Sequence, residues 1–177
     1  MNSEKTLDLL KNEDTNIEIL KKLVQESDPK IITQIIELFD NSRIEVRGEV
    51  FSTLLQNEND ISEQLINGLK NESKNVRAYT SLVLANRFER KAIPNIENLT
   101  NDQSGLVRTC AFGALGHFVH KDSKQKLHNG IFDSNIEAVK SALYSLSRIS
   151  EKLSEKELEI IKKCDDSEFE KILKFFN

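Results

Sequence analysis

Apolar residues recur along the chain in blocks of helical period, and the blocks themselves recur. Four are near-copies of one pattern: Ile44–Leu55 (IEVRGEVFSTLL), Lys74–Ala85 (KNVRAYTSLVLA), Gly105–Gly116 (GLVRTCAFGALG) and Glu137–Arg148 (EAVKSALYSLSR). A Val followed by a base stands early in each, at Val46-Arg47, Val76-Arg77, Val107-Arg108 and Val139-Lys140, in steps of 30, 31 and 32 residues. Behind the Val, apolar positions follow at three and four: Val46, Val50, Leu54; Val107, Ala111, Leu115; Val139, Leu143, Leu146. That spacing puts the side chains on one helix face. A second, more variable set of helical segments alternates with the first: Pro29–Phe39, Ile61–Lys70, Pro94–Thr100, Ser123–Phe132 and Ser154–Cys164. Pro29 and Pro94 suit a first helical turn, where a missing N–H costs nothing. Asp40, Asn71, Asp102 and Asp133 close most of these segments. The repeating element is therefore a helix–turn–helix, here called helix A followed by helix B. A fixed period of this length specifies stacked supersecondary units.

Start signals support the same division. Ser42-x-x-Glu45 and Ser134-x-x-Glu137 have the spacing of capping boxes before two B helices, Ser73 and Ser104 hold similar places, and Asp60-x-x-Glu63 suits an A helix. The period reaches both ends, through Ile17 with Thr15-x-x-Glu18 and through Phe169 with Ser167-x-x-Glu170. Both end units lack the Val-base pair and are rich in charge, as expected of repeats with one solvated face. Lys121–Phe132 is the weakest segment, because Gly130 costs a helix about 1 kcal/mol relative to Ala.

Asp102-Gln-Ser-Gly-Leu-Val107-Arg108-Thr-Cys-Ala111-Phe-Gly-Ala114-Leu115-Gly116 resembles the HEAT-like repeat family, and the short period is similar to the phycobilisome-lyase type. The resemblance spans roughly Asp40 to Arg148. It implies an all-α fold, a right-handed α–α superhelix of about six helix pairs, expected as one domain over 1–177. It further implies that B helices line the concave side. Arg47, Arg77, Arg108 and Lys140 would then form an internal ladder, tying each repeat to an acid-bearing turn of its neighbour through residues such as Asp40, Asp102 and Asp133. The fold is specific; the function is not, because this scaffold hosts unrelated roles.

Composition narrows those roles. The net charge of −4 argues against a generic polyanion binder and a polybasic membrane anchor, and with the absence of a Trp to cradle a damaged base it argues against the DNA glycosylases built on this scaffold. No long apolar stretch offers a membrane span or a signal core, and Cys110 and Cys164 fall in no metal-type or redox-type spacing, so a cytoplasmic location is expected. A di-iron hydroxylase on this scaffold takes His-Glu pairs directly after the Val-Arg. Here those positions hold Gly48-Glu49, Ala78-Tyr79, Thr109-Cys110 and Ser141-Ala142, without a His. His117-x-x-His120 would place two imidazoles on one side of a helix, but no nearby Cys, Asp or Glu stands at a matching position to complete a metal site. No cofactor and no catalysis are expected. An accessory or lyase-like role rests on the family analogy alone.

What remains is surface. The C-terminal ends of three central B helices are basic, with Arg87, Arg90 and Lys91, then His117, His120 and Lys121, then Arg148. Helix-dipole compensation accounts for part of this, since bases at C-termini gain ~0.3–1 kcal/mol each. The clustering exceeds one base per end and suggests a rim for an acidic partner. Gly48, Ser52, Ala78, Gly113, Ser141, Ala142 and Ser145 are small residues on the B helices that either let helices pack closely or leave a groove for a peptide. The expected function is a non-catalytic scaffold binding another protein through its B-helix face and basic rim. The alternative is nucleic-acid binding through that rim.

Overall fold

A computed structural model describes residues 3–12, 16–164 and 166–176. Among the described residues every regular element is helical. Two compact units divide the chain, Met1–Ala92 and Ile93–Asn177.

The first unit holds three helix pairs: α1 (Ser3–Lys11) with α2 (Asn16–Lys22), α3 (Pro29–Glu37) with α4 (Ile44–Gln56), and α5 (Ser62–Gly68) with α6 (Lys74–Asn86). The second holds three more: α7 (Ile93–Leu99) with α8 (Gly105–His117), α9 (Lys124–Gly130) with α10 (Ile136–Arg148), and α11 (Glu155–Lys163) with α12 (Ser167–Leu173). The even-numbered helices are the B helices. The Val of each Val-base pair lies in the core, from fully buried Val46 and Val107 to Val139 at 6% exposure. Leu54, Leu115, Leu143 and Leu146 are fully buried beside them, each worth roughly 1.5–3 kcal/mol of apolar burial.

The A–B turns are built differently from the expected capping boxes. An Asn or Asp just after helix A accepts the N–H two residues on: Asn41 from Arg43, Asn71 from Ser73, Asp102 from Ser104 and Asp133 from Asn135. This side-chain turn moves the helix start. Arg43, not Ser42, stands at the cap of α4; Asn135, not Ser134, caps α10; Asp166, not Ser167, caps α12. Ser73 does cap α6, accepting from Asn75. Asp60 accepts both the N–H and the hydroxyl of Ser62 at the start of α5. Thr15 lies outside the described residues.

The three arginines that follow a Val lock these same turns. Arg47 Nη1 donates to the carbonyls of Asn41 and Ser42 at 2.7 and 3.0 Å. Arg77 does the same with Asn71 and Glu72, and Arg108 with Asp102 and Gln103. The shared cause is a six-residue step from the Asx residue to the Arg. Arg108 also reaches the next turn, holding Asp133 with Nε at 2.6 Å and Nη2 at 2.7 Å. Asp40 is engaged otherwise: it accepts from Ser73 Oγ and Asn75 Nδ2. Lys140 stands one residue further from Asp133 and carries no fork. It instead meets Asp166 at 2.7 Å, Glu168 at 2.8 Å and Glu137 at 3.1 Å.

B helices are tied side by side through hydroxyls and small residues. Ser141 Oγ donates to Thr109 O, Ser145 Oγ to Phe112 O and Thr53 Oγ1 to Leu20 O. A Cβ on Gly116 would sit 2.8 Å from the Cα of Ser145, so α8 and α10 approach as closely as a glycine allows. Gly130 serves the same end: a Cβ there would meet Ala142 Cβ at 2.6 Å and Phe112 Cζ at 2.8 Å. Helix α9 spans seven residues with Gly130 as its last, α5 likewise spans seven and ends on Gly68, and α7 spans seven with no glycine, so Gly130 alone does not account for the shortness of α9. Non-glycine residues take left-handed backbone just after three B helices: Phe88 (φ 56°), Val119 (φ 50°) and Ser150 (φ 59°).

Candidate functional site

Most polar tie residues in each unit are satisfied internally, so the candidate sites are the surfaces those ties leave open. On the first unit, a cleft of ≈ 320 Å³ opens between α4 and α6. Its lining includes Ile44, Gly48, Phe51, Tyr79 and Leu82, with Phe39 and Tyr79 rings 5.5 Å apart. Ile44 is 70% exposed, and a Cβ on Gly48 would meet nothing within 4 Å. The contrast with Gly116 is direct: one glycine is filled by its neighbouring helix and the other is open.

On the second unit, a cleft of ≈ 390 Å³ lies along the B helices α8, α10 and α12 and the turn after α12. Tyr144 and Phe175 form an edge-to-face pair with centroids 5.8 Å apart. Both are exposed, at 46% and 63%. Thr109, Ser141, Glu137, Lys140, Glu168 and Lys171 complete the wall. The Lys140 side chain is 12% exposed beneath Glu137 at 63% and Glu168 at 56%. Its pKa is raised, first by the hydrogen bond it donates to Asp166 and then by the one to Glu168, so it remains a cation.

The expected basic rim divides between the two units. In the first, Arg87 is committed to the fold: its guanidinium donates to the carbonyls of Leu54, Asn57 and Asn59. Its Nε lies 3.7 Å from Glu89, and the side chain is 10% exposed. Those carbonyls end the preceding B helix and its loop, where acceptors lack helical partners. Arg90 and Lys91 are exposed, with Lys91 Nζ 3.8 Å from Asp60. In the second unit, Lys121 and Arg148 are exposed. His117 is half-buried, and its pKa is lowered by burial and then by the Arg148 charge.

The two imidazoles of His117-x-x-His120 do not share a helix face. Helix α8 ends at His117, the chain turns left-handed at Val119, and His120 falls beyond the helix. His120 Nδ1 pairs with Ser123 Oγ, which donates to Glu97 in α7. No group of three or more His, Cys, Asp or Glu positioned for a metal ion occurs among the described residues. His128 lies 2.7 Å from the buried carboxylate of Glu157, joining α9 to α11. Cys110 is buried, and burial pushes its thiol up to about 11, away from nucleophile chemistry. No helix is long and apolar enough to cross a membrane among the described residues.

Phe51, Tyr79, Leu82, Tyr144 and Phe175 line the clefts but carried no functional expectation from sequence. A signal was present: Phe51 and Tyr144 stand five residues after their Val, off the buried stripe.

Comparison with known proteins agrees on the scaffold. Residues 62–147 match the family model for HEAT repeats. No curated protein sequence matches the chain. An engineered protein of known structure is similar at 16% identity and a TM-score of 0.63, covering 99% of this chain and 97% of that one. A designed armadillo repeat protein, solved in complex with the peptide (KR)4, is similar at 17% identity and a TM-score of 0.57, covering both chains entirely (100% of each). Human deoxyhypusine hydroxylase, in complex with glycerol, is similar at 15% identity and a TM-score of 0.50, covering 97% of this chain and 72% of that one. These likenesses concern the fold. Residues 62–147, which hold the turn-locking Arg77 and Arg108, thus match HEAT repeats, and the fold alone is shared with the solved structures over the rest of the chain.

Proposed function

We propose that this chain is a non-catalytic binding module that takes another protein, as an extended or helical segment, along its B-helix surface. The supporting observation is the distribution of exposed apolar groups. Exposed Ile44 and half-buried Phe51 on α4, and exposed Tyr144 on α10 and Phe175 after α12, line clefts on B helices, while the hydroxyls and guanidinium groups around them are used to hold repeats together. Aromatic and aliphatic anchors in clefts with a polar rim are the usual centre of a protein interface. The solved complex of a similarly folded designed repeat protein with a peptide supports the same use of this scaffold. Acidic groups of the partner would meet Arg90, Lys91, Lys121 and Arg148; Arg87 would act through the loop it holds rather than by contact.

The test is a pull-down from the native host with the full chain and with Ile44→Glu/Phe51→Glu and Tyr144→Glu variants. Loss of the same partner from both variants, with helix content by circular dichroism unchanged, is the expected result. A partner retained by both variants but lost on Lys121→Glu/Arg148→Glu, and replaceable by duplex DNA or RNA with a steep salt dependence, would favour the nucleic-acid alternative.

A further inference from the structure

The ladder of bases has a gap, and the gap opens on the cleft of the first unit. Arg108 uses its guanidinium in two halves. Nη1 holds its own turn through the carbonyls of Asp102 and Gln103, and the Nε–Nη2 edge grips the carboxylate of Asp133 in the next turn at 2.6 and 2.7 Å. Arg47 repeats the first half only, with Nη1 donating to the carbonyls of Asn41 and Ser42. In its next turn the place of Asp133 is taken by Asn71, which accepts the N–H two residues on in the same way but carries no charge. Neighbouring acids do not fill the gap. Asp40 is engaged by Ser73 and Asn75, Glu49 lies toward Lys21, and Glu45 is exposed on the first turn of α4. Among the described residues the Nε–Nη2 edge of Arg47 therefore meets no acceptor. Arg47 is half-buried and lines the cleft with Ile44, Gly48, Phe51 and Tyr79, and no acid stands in that wall among the described residues. A guanidinium edge takes a carboxylate with two parallel bonds, and apolar walls that exclude water strengthen them.

We infer that this cleft takes an aspartate or glutamate side chain of the bound protein segment on the Nε–Nη2 edge of Arg47, in the manner of Asp133 on Arg108. A large apolar side chain from the same face of the segment lies against Ile44, Phe51 and Tyr79, where Gly48 leaves open space. The inference rests on the B-helix surface being the binding face, and it sets the chemistry of the residues that enter there.

The test uses the full chain, isotope-labelled for NMR, and three short peptides that carry leucine and, two residues on, a test residue, so that both share one face of an extended chain. The test residue is glutamate or glutamine with both ends capped, or glutamine with a free C-terminal carboxylate. The glutamate peptide should shift the Arg47 Nε–H resonance together with those of Ile44 and Phe51, and should bind at least about fivefold more tightly than the capped glutamine peptide. Asn71→Asp supplies the missing acid at its place in the ladder and leaves the cleft walls intact. The free variant should already show a displaced Arg47 Nε–H resonance, and its preference for glutamate should vanish. Arg47→Lys keeps the charge without the fork and should lose most of that preference. Equal binding of the glutamate and capped glutamine peptides, with shifts at Phe51, would refute the acid site but leave the B-helix surface intact. A preference for the free C-terminus over glutamate would likewise refute the side-chain assignment. Shifts confined to A-helix residues such as Glu63 would refute both readings. No shift from any peptide, or a glutamate preference unchanged in both variants, would overturn the inference.

Discussion

Replacing Arg108 by Ala tests the turn-locking role of the repeated base at its most connected copy. The side chain is 15% exposed and its partner Asp133 is 8% exposed. The substitution removes a bidentate ion pair and two bonds to the Asp102–Gln103 carbonyls. Removing one partner of a buried ion pair costs ~3–5 kcal/mol, because the other charge is left desolvated. Asp133 keeps the Asn135 N–H, so the lower end applies and a loss of about 3 kcal/mol is expected. Arg47→Ala removes a pair of carbonyl bonds and should cost about 1–1.5 kcal/mol. Native-state hydrogen exchange on α8, α10 and α4 amides measures both in the full chain. A cycle with Asp133→Asn should give a coupling of about 1.5–3 kcal/mol. The pH dependence provides an independent check. Burial alone would raise the Asp133 carboxyl, but the Arg108 hydrogen bond, the Asn135 N–H and the Arg108 charge hold it below the ordinary range. Its contribution is therefore present above the unfolded carboxylate pKa and is lost as pH falls through the lower folded value, below about pH 4. That acid-labile component should shrink in Arg108→Ala. A loss below about 1 kcal/mol, or one no larger than that of Arg47→Ala, would refute the reasoning.

Other expectations are equally local. Gly116→Ala should destabilise the second unit by about 1–3 kcal/mol through its collision with Ser145, whereas Gly48→Ala, facing open space, should stabilise α4 by about 0.5–1 kcal/mol; urea melts decide both signs. Ser150→Gly should relieve left-handed strain and raise stability by up to about 1 kcal/mol, and a loss would show that the Ser150 conformation is not strained. At pH 8, maleimide should label half-buried Cys164 well before Cys110, followed by mass spectrometry; equal rates would mean that α8 opens freely.

The helix order was legible because Val46, Val76, Val107 and Val139 occupy one buried position repeatedly, and burial of that kind writes a period into the sequence. The turns were less legible. The Ser-x-x-Glu spacing before α4 and α10 resembles a capping box, yet Asn41 and Asp133 capture the N–H two residues on and shift the helix start. The ladder was anticipated for its tie to the next turn, which Arg108 makes with Asp133 and Lys140 with Asp166. Its main acceptors are backbone carbonyls, and a carbonyl leaves no trace in residue type. Arg87 illustrates the same limit, since its acceptors are carbonyls about thirty residues earlier in the chain. Gly48, two residues after its Val, stays open in the first cleft, whereas Gly116, nine after its Val, is filled by its neighbour, a difference that composition does not encode.

The most direct test of the binding account is site-specific photo-crosslinking in the native host. A benzophenone side chain would replace Phe51 or Tyr144 on B helices, and Glu63 or Glu159 on A helices. The account predicts covalent adducts with one common protein from Phe51 and Tyr144 and none from Glu63 or Glu159. Adducts from the A-helix positions alone would contradict it.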